Sequence, residues 1–149
     1  MKTKVNEISL KYRGNFKMKE APKITSAEKA SEVIYQSWDK DRIGIQESFK
    51  VLLLNNANKV KGIYEVSIGG IAGTLVDVRI LFGVILKSLT TSVILVHNHP
   101  SGNLKPSQAD KMLTQKIKTA CKYFDINLLD HLILNPDGEY YSFADEGML

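Results

Sequence analysis

The chain has a single cysteine, Cys121, so no internal disulfide can form. That points to a reducing compartment. It also removes the Pro-Cys-x-x-Cys zinc ligands that nucleoside deaminases depend on. No apolar run approaches the ~20 residues of a membrane-spanning helix. The opening Met1-Lys2-Thr3-Lys4-Val5-Asn6-Glu7 holds no hydrophobic signal-peptide core, and the expected location is cytoplasmic. The glycine-rich Gly69-Gly70-Ile71-Ala72-Gly73-Thr74 lacks both the Gly-Lys-Ser/Thr ending of a phosphate loop and the dinucleotide fingerprint. It reads as a bend or a close backbone approach. Internal repeats and low-complexity segments are absent, and 149 residues suit one domain with a sizeable core.

Net charge is also scarce outside one region. The chain carries +4, but residues 1–20 hold Lys2, Lys4, Lys11, Arg13, Lys17 and Lys19 against Glu7 and Glu20. The remainder has 14 basic and 14 acidic residues and is neutral. Residues 1–24 are therefore read as a basic N-terminal arm or, from the weak alternation of Val5 to Arg13, a short edge strand. Such an arm can touch phosphate or acidic protein surfaces.

What is present is an alternation of helical and extended patterns. Thr25-Ser26-Ala27-Glu28 has the form of a capping box, and Ala27, Ala30, Val33, Ile34 and Trp38 follow at helical spacing, predicting a helix from Ser26 to Ser37. Strands are predicted from Glu47 to Leu54 and from Val60 to Ser67, joined by the loop Asn55–Lys59. A helix follows from Asp77 to Leu89, apolar along Val78, Leu81, Phe82, Ile85 and Leu89. Ser92 to Val96 reads as a strand buried on both faces. Ser107 to Tyr123 is an amphipathic helix with Met112, Leu113, Ile117, Ala120, Cys121 and Phe124 inward. Ile126 to Leu134 and Glu139 to Phe143 form a closing hairpin around Pro136-Asp137-Gly138. The order implies a single α/β domain, a mixed β-sheet flanked by helices.

The chemistry concentrates between Ser92 and Asp110. The buried strand ends in His97-Asn98-His99-Pro100, and imidazoles two residues apart on a strand share a face. Ser107-x-x-Asp110 opens the next helix, so its carboxylate can fold back over the strand end. Two imidazoles and one carboxylate leave a fourth position open, as in catalytic zinc sites. Water there would have its pKa lowered towards ~7, and a carboxylate base would still be needed. Glu47, at the entrance of an apolar strand, is the first candidate, with Glu65 and Asp77 as alternatives. Ser107 suits an oxyanion donor, although Ser-x-x-Asp is equally a helix cap, and a coordinating Asp110 is expected to have little capacity left for capping. His131, after Asp130, is either a further ligand or a supporting residue behind the site. Cys121 and Trp38 read as core, and Arg79 and Lys105 as solvated surface, with substrate contact as the alternative.

His97-Asn98-His99-Pro100, six residues, Ser107, two residues and Asp110 together resemble the JAMM motif of JAB/MPN-domain metallohydrolases, with Glu47 as the upstream glutamate. Within that group the chain is similar to the RadC family, through Val96–Gly102, Pro106-Ser107-x-x-Asp110, Leu129-Asp130-His131, Tyr141-Ser142-Phe143, Gly69-Gly70-x-x-Gly73-Thr74 and Glu146-Gly147. The resemblance covers residues 25–149. It implies a cytidine-deaminase-like α/β fold, zinc on His97, His99 and Asp110, water activation by Glu47, and stabilisation of an intermediate by Ser107. The implied activity is that of a zinc metalloprotease acting on a peptide, isopeptide or small amide. Two departures stand out: the residues before 25 leave no room for the helix-hairpin-helix region of full-length RadC proteins, and Val78-Arg79 replaces a common Pro-Arg.

Two other classes compete. RadC-like proteins are labelled DNA-repair factors, which implies nucleic-acid contact through the basic arm, yet the neutral body carries no aromatic-basic stripe. The site could instead be structural, or a metal-bound recognition module without turnover. The letters His-Asn-His do not make an HNH nuclease, whose residues are spread over a ββα unit.

Overall fold

A computed structural model of the chain describes residues 4–9, 11, 13–69 and 75–149. The bend predicted at Gly69–Thr74 lies, beyond Gly69, outside the described residues. Residues 4–9 join no strand, and Met18–Glu20 form a single 3₁₀ turn. The helices are α1 (Ala27–Ser37), α2 (Val78–Lys87) and α3 (Gln108–Tyr123), and the strands are β1 (Ser48–Leu54), β2 (Val60–Ile68), β3 (Ser92–Asn98), β4 (Asn127–Leu134) and β5 (Tyr140–Ser142).

The five strands make one mixed sheet in the order β2-β1-β3-β4-β5. Among the described residues only β3 and β4 run parallel, as the α3 crossover between them permits; the other pairs are antiparallel. Side chains alternate across the sheet and divide the core in two. On one face Leu52, Leu54, Ile94, Val96, Leu132 and Leu134 pack with Ala30 and Ile34 of α1 and with Trp38. On the other Phe49, Val51, Leu53, Val93 and Leu95 meet Leu81, Phe82 and Ile85 of α2 and Ile117 and Cys121 of α3. β3, in the centre, is buried at every residue. Burying the Cys121 thiol pushes its pKa up to about 11, which suits a core role. Among the described residues no helix is long and apolar enough to cross a membrane.

Several expectations shift. Ser26 caps α1 by accepting from the Lys29 N–H at 3.0 Å, so the cap lies one residue later than Thr25. α2 stops at Lys87, and Leu89 takes a left-handed backbone (φ 52) that carries its side chain out to 71% exposure. Met112 and Phe124 are not inward: Met112 is 66% exposed, and Phe124 lies half-exposed at the end of α3 against Phe82. The buried row of α3 is Thr114, Ile117 and Cys121, at helical spacing, and it turns Met112 to solvent.

Midway along β4, Asp130 ties the last strand down. One carboxylate oxygen accepts from the His131 and Ala144 N–H groups and the other from the Ser142 hydroxyl. Burial raises its pKa, partly offset by those donors.

Candidate metal centre

The antiparallel register pairs Phe49 of β1 with His97 of β3, so residues on that face of both strands converge at one end of the sheet. Glu47 lies two residues before Phe49, and His99 two residues after His97. Alternation therefore sends all four side chains to the same face. The Phe49 ring stacks parallel to that of His97 at 6.0 Å between centroids. Glu47, His97 and His99 each offer a ligand atom here, and those atoms lie within 4.8 Å of one another. This trio is able to hold a metal ion.

Asn98, between the two histidines, points the other way and is wholly buried. Its amide nitrogen donates to the carbonyls of Ile43 and Gln46 at 2.8 and 2.9 Å, and its oxygen accepts from the Ser48 N–H at 2.7 Å. The backbone on both sides of Glu47 is thus clamped to the strand that carries the histidines. The Gly69 N–H donates to the Glu47 carbonyl at 2.8 Å and holds it from the β2 side. Sequence reasoning missed this role for Asn98, because its partners lie some fifty residues away.

α3 delivers the second carboxylate. Ser107 and Asp110 form a reciprocal cap: the Ser107 Oγ accepts from the Asp110 N–H at 3.0 Å, and the Asp110 Oδ2 accepts from the Ser107 N–H at 2.8 Å. The same carboxylate faces both imidazoles, with Oδ1 at 3.4 Å from His97 Nε2 and Oδ2 at 3.6 Å from His99 Nε2. Capping and facing the two imidazoles therefore coexist in one carboxylate. A carboxylate has about four lone-pair directions, and the cap uses one. The other carboxylates weighed for Glu47's place are engaged elsewhere. Glu65 pairs with Arg42 at 3.5 Å and stands opposite Lys50, on the other face of the sheet. Asp77 caps α2 and pairs with Arg79 at 3.0 Å. Lys105 is exposed.

The two Nε2 atoms of His97 and His99 stand 3.1 Å apart. His99 Nδ1 lies 2.6 Å from the Asn103 carbonyl, which can only accept; this nitrogen therefore carries the hydrogen, and a neutral His99 keeps its Nε2 lone pair for the site. A tetrahedral zinc with bonds of about 2.0–2.1 Å separates its ligand atoms by roughly 3.3 Å. The two imidazole nitrogens, 3.1 Å apart, lie near that spacing, and each has a different Asp110 oxygen at 3.4 or 3.6 Å. His97 is 2% exposed, while His99 and Asp110 are 16% and 18% exposed, leaving one side of the cluster open to solvent.

Electrostatics favour the same groups. Burial alone would raise the Asp110 carboxyl, but its contacts with His97 and His99 and the Ser107 N–H outweigh that and hold it far below the usual carboxylate range. The Asp110 contact raises the pKa of His99 above the ordinary histidine value, against partial burial. Behind His97 stands His131, its Nε2 2.8 Å from His97 Nδ1 and its Nδ1 2.6 Å from the Thr114 hydroxyl. Burial pushes its pKa well below the ordinary value. His131 faces the rear nitrogen of His97, behind the open side of the cluster.

Comparison with known proteins reaches the same stretch of chain. A family model described as RadC-like JAB domain matches residues 24–148. A UPF0758 protein of Flavobacterium johnsoniae is 57% identical over 102 residues, 68% of this chain and 44% of the relative. One from Porphyromonas gingivalis is 44% identical over 104 residues, 70% of this chain and 46% of the relative. One from Streptococcus gordonii is 37% identical over 127 residues, 85% of this chain and 54% of the relative. The chain spans about half the length of these curated relatives.

Proposed function

Because this chain belongs to the RadC-like JAB-domain family, we propose that its histidine–carboxylate cluster is the centre of a zinc hydrolase that cleaves a peptide, isopeptide or related amide bond. The observation that carries this reading is the clustering of ligand atoms of Glu47, His97 and His99 within 4.8 Å, with the Asp110 carboxylate oxygens at 3.4 and 3.6 Å from the two imidazoles. His97, His99 and Asp110 would hold the metal. When bound, zinc supplies Lewis acidity that makes water a nucleophile near neutral pH.

The remaining work falls to the protein's own groups. Glu47 takes the proton from the attacking water and returns it to the leaving nitrogen, which an amine needs in order to depart. Its place within 4.8 Å of the histidine nitrogens supports that role. The Ser107 Oγ accepts the Asp110 N–H, so its own hydroxyl hydrogen remains to meet a developing oxyanion, helped by the positive end of α3. Asn98 keeps Glu47 at a constant distance from the imidazoles. The stacked Phe49 and buried His97 form a dry wall on one side, where each polar interaction is stronger than in water.

The test is metal-dependent turnover on a mixed library of fluorogenic peptides and isopeptides. Chelation is expected to abolish cleavage and one equivalent of zinc to restore it. Cleavage that survives chelation, or zinc-loaded protein that cleaves no amide in the library, contradicts the hydrolase reading.

A further inference from the structure

The hydrogens behind His97 can be followed from the far end of a chain of contacts. Thr114 Oγ1 lies 2.7 Å from the Asp110 carbonyl oxygen. A carbonyl only accepts, so the threonine spends its one hydroxyl hydrogen there. At its 2.6 Å contact with His131 the same oxygen must accept, which puts a hydrogen on His131 Nδ1. His131 is wholly buried, with the Phe143 ring stacked on it at 4.7 Å and the edge of Phe49 at 5.6 Å. A neutral imidazole is the form such surroundings tolerate. With its hydrogen on Nδ1, His131 presents a bare Nε2 to His97 Nδ1 at 2.8 Å. His97 must therefore carry a hydrogen on Nδ1, and in its neutral form it keeps the Nε2 lone pair turned towards His99 and Asp110.

We propose that Thr114 and His131 are positioning residues: the Thr114 hydroxyl, acting through His131, sets the His97 tautomer that offers its lone pair to a metal. The proposal rests on the reading of His97 as a ligand. The relay is also closed on itself. Its anchor is the backbone carbonyl of Asp110, so the residue at one corner of the cluster orients the histidine at another. A histidine's metal-binding nitrogen is decided by the hydrogen bond its other nitrogen makes. Here the direction of that bond originates in a threonine two contacts away.

Thr114→Val, Thr114→Ser and the unaltered protein separate the possibilities. Long-range ¹⁵N–¹H NMR on metal-free protein reads the His97 tautomer, and competition with a chromogenic chelator reads zinc affinity. Thermal unfolding checks that each variant folds. The unaltered protein and Thr114→Ser are expected to carry the His97 hydrogen on Nδ1 and to bind zinc alike. Thr114→Val is expected to lose that preference and to bind zinc about 10–100-fold more weakly. A His97 hydrogen on Nε2 in the unaltered protein, or zinc affinity within twofold in a folded Thr114→Val, overturns the relay. If Thr114→Val does not fold, His131→Asn (which keeps an acceptor) should retain more zinc affinity than His131→Leu, and equal affinities overturn the relay. An Nδ1 hydrogen on His97 in unaltered protein that takes up no zinc would support the relay and contradict only the metal assignment.

Discussion

Glu47→Gln is expected to leave zinc bound and to lower turnover about 10²–10⁴-fold, the usual contribution of a positioned general base. In barrier terms that is about 3–5 kcal/mol. The substitution is close to isosteric, and the backbone around residue 47 is held by Asn98 and Gly69, so the loop should stay where it is. An amide at this position cannot take a proton from water, and the leaving nitrogen then departs without one. Zinc content and hydrolysis rate, measured on the same preparation, check both halves. Turnover at the unaltered rate would remove Glu47 as the base. Loss of zinc would instead place Glu47 among the ligands, which its closeness to both histidines also permits.

The second large effect concerns the metal itself. His97→Ala combined with His99→Ala should reduce bound zinc from about one per chain to near zero, because Glu47 and Asp110 without the two imidazoles are a weak site. In unaltered protein, free zinc at a hundred times its dissociation constant should add about 2.7 kcal/mol to stability, and the double variant should gain nothing. Stoichiometric zinc in the double variant would end the assignment. Acidification should act in the same direction. Asp110 raises the His99 pKa, so His99 takes up a proton at a higher pH than an ordinary histidine, and a protonated imidazole cannot bind. Zinc affinity should therefore fall as pH drops through the neutral range. Asp110 stays ionised there and adds no dependence of its own.

The elements were legible wherever the signal was local. The continuous apolar run of β3, the 3.6-residue pattern of α1 and the Ser-x-x-Asp opening of α3 each depend on neighbours a few residues apart, and each forms close to its expected bounds. His97, His99 and Asp110 converge for the same reason: one strand exit and the following helix start bring them together. What escaped the sequence depends on distant partners. Thr114 occupies the buried row of α3 because His131 lies 17 residues on to receive it, and no pattern of apolar residues marks a threonine for that place. Its presence there explains why Met112 faces solvent. Asn98 reads as a spacer between two histidines until the β1–β3 register brings residues 43–48 beneath it. The double duty of Asp110 follows from the number of lone pairs on a carboxylate, which leaves room for both a cap and an imidazole pair.

The most direct test of the metal centre is a crystal structure of zinc-loaded protein with the zinc located by its anomalous signal. One ion bonded to His97 Nε2, His99 Nε2 and an Asp110 oxygen, with the remaining position facing solvent beside Glu47, is the expected result. An ion bound elsewhere, or the two imidazoles and Asp110 turned apart with nothing shared between them, would contradict it.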